Sequence, residues 1–113
     1  MSAITTHVLD TSRGQPATGV GVALDVRRGE NWHRLGSAET DADGRVRTLL
    51  PNEALLEPGL YQLTFETSAY FAASGVSTFY PHVIVVIQIE ASRGHYHVPL
   101  LISPFGYTTY RGS

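Results

Sequence analysis

His95-Tyr96-His97-Val98-Pro99-Leu100-Leu101-Ile102-Ser103-Pro104-Phe105-Gly106-Tyr107-Thr108-Thr109-Tyr110-Arg111-Gly112-Ser113 closes the chain, and its reading decides the fold. Successive side chains of a strand point to opposite faces. His95, His97, Pro99 and Leu101 therefore share one side, while Tyr96, Val98, Leu100 and Ile102 make an ordinary core face on the other. Ser103 to Gly106 turns the chain. Thr108 and Tyr110 of the returning strand share a face that the hairpin carries beside the histidines. Two imidazoles, a phenol and a carboxyl terminus on one rigid hairpin are suitable parts for acid–base chemistry.

Working back, the same alternation recurs. Ala3 to Asp10 sets Ile4, Thr6 and Val8 against Thr5, His7 and Leu9, which puts His7 opposite the core. Thr11 to Thr18 reads as a polar loop. Val20 to Arg27, Trp32 to Thr40, Arg45 to Leu50 and the run from Gly59 read as further strands. Asp41-Ala42-Asp43-Gly44 is a tight turn. It begins like a calcium loop, but Arg45 and Val46 stand where oxygen ligands belong. Pro51 to Pro58 is a loop. Thr67 or Ser68 is expected to cap a short helix, Ala69 to Ser74, closed by Gly75 at a left-handed position. Ser77 to His82 is a linker. Val83 to Ile89 is a nearly unbroken apolar run, expected to be buried on both faces with its outer face covered by a second copy of the chain. Ala91 to Gly94 turns into the closing hairpin. Short strands, one small helix and no βαβ rhythm predict an all-β, antiparallel β-sandwich of seven to eight strands, a single domain over 1–113.

Composition narrows the function classes. Charged residues are 16 % of the chain and apolar ones 42 %, against an average charged share of about 25 %. A surface so sparsely charged fits burial against other subunits. The formal net charge of −2, with arginine as every basic residue, makes no electrostatic case for nucleic acid or an anionic membrane. Cysteine is absent, which excludes disulfides, thiolate nucleophiles and cysteine-based metal sites. No apolar run approaches a bilayer span and no leader precedes the first strand, so a cytoplasmic address is expected.

Several stretches together resemble the 5-hydroxyisourate hydrolase branch of the transthyretin-like family. They are Thr6-His7-Val8-Leu9-Asp10 with Gly14 to Ala17, Asp41 to Arg45, Tyr70-Phe71, Phe79-Tyr80-Pro81, His95 to Pro104, and the terminal Tyr110-Arg111-Gly112-Ser113. They span nearly the whole chain, and the terminal tetrapeptide joined to His-Tyr-His-Val-Pro is the most specific part. His82 after Tyr-Pro and the wording of the Ala91 to Gly94 turn depart from the commoner family pattern. The resemblance implies a homotetramer, a dimer of dimers with a central channel. It also implies hydrolysis of 5-hydroxyisourate to 2-oxo-4-hydroxy-4-carboxy-5-ureidoimidazoline, on the route from urate to allantoin. By matching positions, catalysis falls to His7, Arg45 and His97. Tyr110, Arg111, Gly112 and Ser113 line the site, with Thr108 a further substrate contact. No metal or organic cofactor is implied.

Ring opening of a cyclic acyl-urea needs an activated water, a polarised carbonyl and a proton for the departing nitrogen. Histidine works in either direction near neutrality. His97 is the first choice for general base, with His7 orienting water or giving the proton, although the two roles can be exchanged. Arg45 offers a permanently charged fork to substrate oxygens. Each assignment has an ordinary competitor. A lone outward histidine is usually solvated surface, which is the reading kept for His33 and His82. His95 reads as structural, Arg47 as an open neighbour, and Trp32, Tyr61, Tyr70, Tyr96 and Tyr107 as packing residues. Two rival functions stand beside the hydrolase. One is a non-enzymatic carrier of small aromatic ligands, as in transthyretin. The other is a zinc site from His7, His95 and His97, which lacks an acidic partner nearby.

Overall fold

The computed structural model describes residues 3–50, 56–90 and 94–113. Nine strands and one helix follow one another among these: β1 (Ile4–Asp10), β2 (Gln15–Pro16), β3 (Gly21–Arg28), β4 (Asn31–Glu39), β5 (Arg45–Val46), β6 (Gly59–Phe65), α1 (Thr67–Ala72), β7 (Val83–Ile89), β8 (Tyr96–Ser103) and β9 (Gly106–Thr109). They form two sheets. One runs β2-β1-β8-β9 with β5 also paired to β1; the other runs β4-β3-β6-β7. The sandwich expected from alternation is present. Ile4 and Val8 from β1, Val22 and Leu24 from β3, Leu63 and Phe65 from β6, and Leu100 and Ile102 from β8 are all essentially sealed from solvent. Burying each such side chain contributes about 1.5–3 kcal/mol.

Pairing within the sandwich differs from the expectation in one respect. β1 and β8 run parallel, in register from Ile4↔Tyr96 to Asp10↔Ile102. A parallel pair needs a long connection, and here almost the whole chain supplies it. Alternation within a strand carries no information about the direction of its neighbour.

Smaller differences have local causes. Gln15–Pro16, read as loop, pairs with Leu9 and Asp10. Of the strand expected from Arg45 to Leu50 only Arg45–Val46 pairs, opposite His7 and Thr6. The helix starts two residues earlier than expected, with Glu66 at its N-cap and no side chain capping it; Thr67 is buried instead. It ends at Ala72, two residues before the expected Ser74, but the left-handed glycine that closes it is the one expected. Gly75 takes φ 72°, and the N–H groups of Gly75 and Val76 close on the carbonyls of Ala72 and Phe71 at 2.9 and 3.0 Å. β7 lies at a sheet edge, and on its outer face Ile84 and Val86 are 44 % and 53 % exposed within the single chain. Most of the loop expected over 51–58 and of the turn over 91–94 lies outside the described residues. No helix among the described residues is long and apolar enough to cross a membrane.

The end of β1 is tied down by a buried carboxylate. Asp10 is fully buried and accepts hydrogen bonds from the Ser12 N–H at 3.0 Å, the Ser12 hydroxyl and the Tyr70 hydroxyl at 2.8 Å. Burial and the neighbouring Asp10 carboxylate push the Tyr70 phenol above its usual range, so it remains a donor. Tyr70→Phe removes one donor from a buried charge. It is expected to cost about 1–3 kcal/mol, read as a lowered midpoint in urea with an unchanged slope.

Candidate active site

The outward face of the β2-β1-β8-β9 sheet carries the polar cluster. In β1, Thr5 and His7 point away from the core, as do His97 in β8 and His95 just before it. The parallel register sets Thr5 beside His97. The Thr5 hydroxyl lies 2.8 Å from His97 Nδ1 and 3.0 Å from His95 Nε2. The two rings are roughly stacked, 6.3 Å between centroids.

The Asp41 to Gly44 turn brings Arg45 to the same place. Asp41 folds over its own turn, its carboxylate accepting the N–H groups of Asp43 at 2.9 Å and Arg45 at 3.0 Å, and it meets the Arg47 guanidinium at 3.1 Å. Those N–H bonds, that of Arg45 foremost, hold the Asp41 carboxyl below its usual range. Gly44 adopts φ 76°, and a Cβ there would stand 2.4 Å from the Val8 carbonyl, so only glycine lets the turn press against β1. The chain leaves this turn with Arg45 directly opposite His7.

The tail closes the cluster from the other side. Pro99 lacks the N–H that would pair with the neighbouring strand, and its carbonyl takes the Thr109 hydroxyl at 2.8 Å instead. β9 ends there. The chain then re-attaches through the Gly112 N–H, which donates to the His97 carbonyl at 2.9 Å. A Cβ on Gly112 would sit 2.6 Å from His97 Cδ2 and 3.1 Å from Pro99 Cγ, so the tail lies flat across the imidazole only because residue 112 is glycine.

An open cleft of about 200 Å³ results, lined by Thr5, Thr6, Arg45, Arg47, His95, His97 and Ser113. His97, Arg45 and Ser113 are thus brought together. His7 does not line the cleft, but it is one of the groups, with Arg45 and His95, whose charge His97 feels. Tyr110 and Arg111 line a larger cavity of about 320 Å³ on the other side of His97, together with Val85, Ile87 and Tyr96. There the Arg111 guanidinium stacks 4.7 Å over the Tyr96 ring, pinning the tail. Thr108 is exposed and paired with Leu101, four residues along β8 from His97. Parity along the strands identifies the outward face, but Thr5 was overlooked as a site residue because threonine in a strand is commonplace. His33 and His82 are exposed surface residues outside the cluster.

Electrostatics favour neutral imidazoles. Burial first, then the Arg45 guanidinium, lower the pKa of His7 below the ordinary 6.5, against opposing contributions from Asp43 and Asp41. Burial, Arg45, His95 and His7 all lower that of His97. Next to a fixed cation, two neutral imidazoles are able to accept protons near neutrality. The nitrogens of His95 and His97 turn to Thr5, and among the described residues no group of three His, Cys, Asp or Glu side chains is disposed to hold a metal ion.

The chain is 44 % identical over 117 residues to 5-hydroxyisourate hydrolase of Caulobacter vibrioides, covering all of both chains. Its fold superposes on the structure of Klebsiella pneumoniae 5-hydroxyisourate hydrolase with a TM-score of 0.85 and 42 % identity, covering 100 % of this chain and 94 % of that one. Sea bream transthyretin in complex with thyroxine superposes equally well, with a TM-score of 0.90 over 97 % of this chain and 94 % of that one, at 29 % identity. Fold likeness therefore does not separate the enzyme from the carrier, and the cleft must. Residues 4–112 match the model of the HIUase/Transthyretin family, and the chain belongs to that family.

Proposed function

We propose that this chain hydrolyses 5-hydroxyisourate, opening its six-membered ring to the carboxylated ureido-imidazoline in urate degradation. The observation that carries this is the meeting of His97, Arg45 and Ser113 around one cleft, with His97 held by Thr5 on one side and Gly112 on another. His97 takes a proton from water as the oxygen attacks the ring carbonyl. Arg45 draws the charge that develops on the carbonyl oxygen. His7, opposite Arg45, orients the water or returns a proton to the departing nitrogen. Ser113 and the tail bound the space the heterocycle occupies. A small-molecule substrate fits a cleft of this size.

The assembly we propose is a homotetramer, a dimer of dimers, and the cytoplasmic address read from the sequence goes with it. β7 and β9 are both edge strands on the open side of the sandwich, and Ile84, Val86, Tyr107 and Tyr110 are exposed there. Unpaired edges with apolar side chains invite a second copy. The open cleft needs a facing wall to exclude water from the reaction. Light scattering is expected to give four chains; a monomer at assay concentration would remove the shared site.

Freshly oxidised urate should lose its 5-hydroxyisourate absorbance much faster with this protein than without it. His97→Ala and Arg45→Ala should each slow turnover by about 10²-fold or more while leaving the oligomer intact. Decay at the spontaneous rate with the parent protein would instead favour the carrier.

The acid limb of the reaction follows from the lowered imidazole pKa values. His97 serves as base only when neutral, so kcat should hold steady down to about pH 6.5 and fall below it. An acid limb already descending above neutrality would contradict the assignment. Stability has the same sign. The unfolded histidines, near 6.5, bind more protons than the native ones at any pH between the two values. The stabilisation is complete above about 6.5 and is lost as pH falls towards the native pKa. Urea midpoints at about pH 7.5 and about pH 5.5 should differ less in a His7→Gln/His97→Gln double variant than in the parent.

A further inference from the structure

The Thr5 hydroxyl stands between two imidazole nitrogens, and it has only one hydrogen to give. One bond at most is therefore donated by Thr5, and the other must be donated by a ring N–H. At least one of the two facing nitrogens therefore carries hydrogen, which couples the tautomers of the two rings without by itself choosing between them. With Nδ1 held by Thr5, Nε2 is left without a protein partner among the described residues. For Nε2 to accept a proton from water it must hold the lone pair, so neutral His97 has to carry its hydrogen on Nδ1. An unconstrained imidazole prefers the opposite form, with hydrogen on Nε2. Something in the fold has to reverse that preference.

We propose that Thr5 is a positioning residue that fixes His97 in its Nδ1–H tautomer, and that His95 sets the direction of the Thr5 hydroxyl. The inference rests on the reading of His97 as the base. His97 Nδ1–H donates to Thr5 Oγ1, and Thr5 Oγ1–H donates to the lone pair on His95 Nε2. Were the hydroxyl turned round, Thr5 would donate to His97 Nδ1 and leave the lone pair on the wrong nitrogen. His95 gives that hydrogen a competing destination when it too carries its own hydrogen on Nδ1, so the scheme requires both rings in the Nδ1–H form. When His97 becomes an imidazolium during attack, its Nδ1–H bond to an oxygen already polarised by His95 becomes charge-assisted and strengthens. No proton passes through Thr5 in this scheme. The surroundings of the pair are Arg45 and Arg47 after the Asp41 turn, His7 on β1, and Ser113 with its terminal carboxylate at the cleft. Thr5 itself is 5 % exposed, so water does not compete for its hydroxyl.

Nitrogen-15 imidazole spectra of the parent protein, taken above the titration of His97, test the tautomer without any substitution. The expected result is hydrogen on Nδ1 of His97; hydrogen on Nε2 overturns the proposal. Thr5→Val keeps the shape of the side chain and deletes the hydroxyl. It should shift His97 towards the Nε2–H form and lower kcat about tenfold or more with KM little changed, while Thr5→Ser should restore kcat to within about threefold of the parent. His95→Ala should move the tautomer in the same direction as Thr5→Val. Parental kcat in Thr5→Val, with His97→Ala inactive, overturns the positioning role and leaves the hydrolase reading standing. Full activity in His97→Ala would sink the base assignment and this inference with it.

Discussion

The parallel pairing of β1 with β8 is the constraint on which the rest depends. It joins residues about ninety positions apart, and it places Thr5 beside His97. On the core side the same register sets Ile4, Thr6 and Val8 beside Tyr96, Val98 and Leu100, and the Thr6 hydroxyl donates to the Val98 carbonyl. Core and cleft are therefore two faces of one ladder. A slip of one residue would turn both over at once, sending histidines into the core and aliphatic side chains into the cleft. Burial on one face thus holds the polar register on the other.

Around that ladder the chain uses local devices to complete the cleft. The Asp41 turn aims Arg45 at β1 through backbone N–H bonds to a single carboxylate. Pro99 interrupts the hairpin ladder so that β9 ends and the tail crosses the outer face, where Gly112 alone is small enough to lie on the imidazole. Arg111 turns the other way and grips Tyr96. These features gather a cluster of polar groups on one face of a sandwich whose shape is shared with a transthyretin that binds thyroxine. A sandwich is a support for chemistry and does not specify it.

Much of the fold was legible from alternation alone. The Val83 to Ile89 run forms the strand its pattern predicts, and its nearly unbroken apolarity does not say whether the strand lies at an edge. Apolar side chains on an outer face look the same whether the strand is central or waiting for another chain. The helix start was misplaced because Thr67, a good capping residue by type, is buried instead, and Glu66 occupies that position without a side-chain bond. The segment after Arg45 was read as a longer strand because Arg45, Val46 and Arg47 alternate; only two of its residues find a partner on β1.

Residue type and parity by themselves determined that this is a sandwich, that His7, His95 and His97 face away from its core, and that the chain resembles a known family through its terminal tetrapeptide. Those are local properties, carried by which side of a strand a residue occupies. Which outward residues meet was decided only in three dimensions. Thr5 became the partner of two imidazoles, Arg111 turned to the opposite face from His97, and Thr108 ended up apart from the cleft. Contact between strands depends on register and direction, and these are fixed by pairing across the whole chain rather than by any stretch of it.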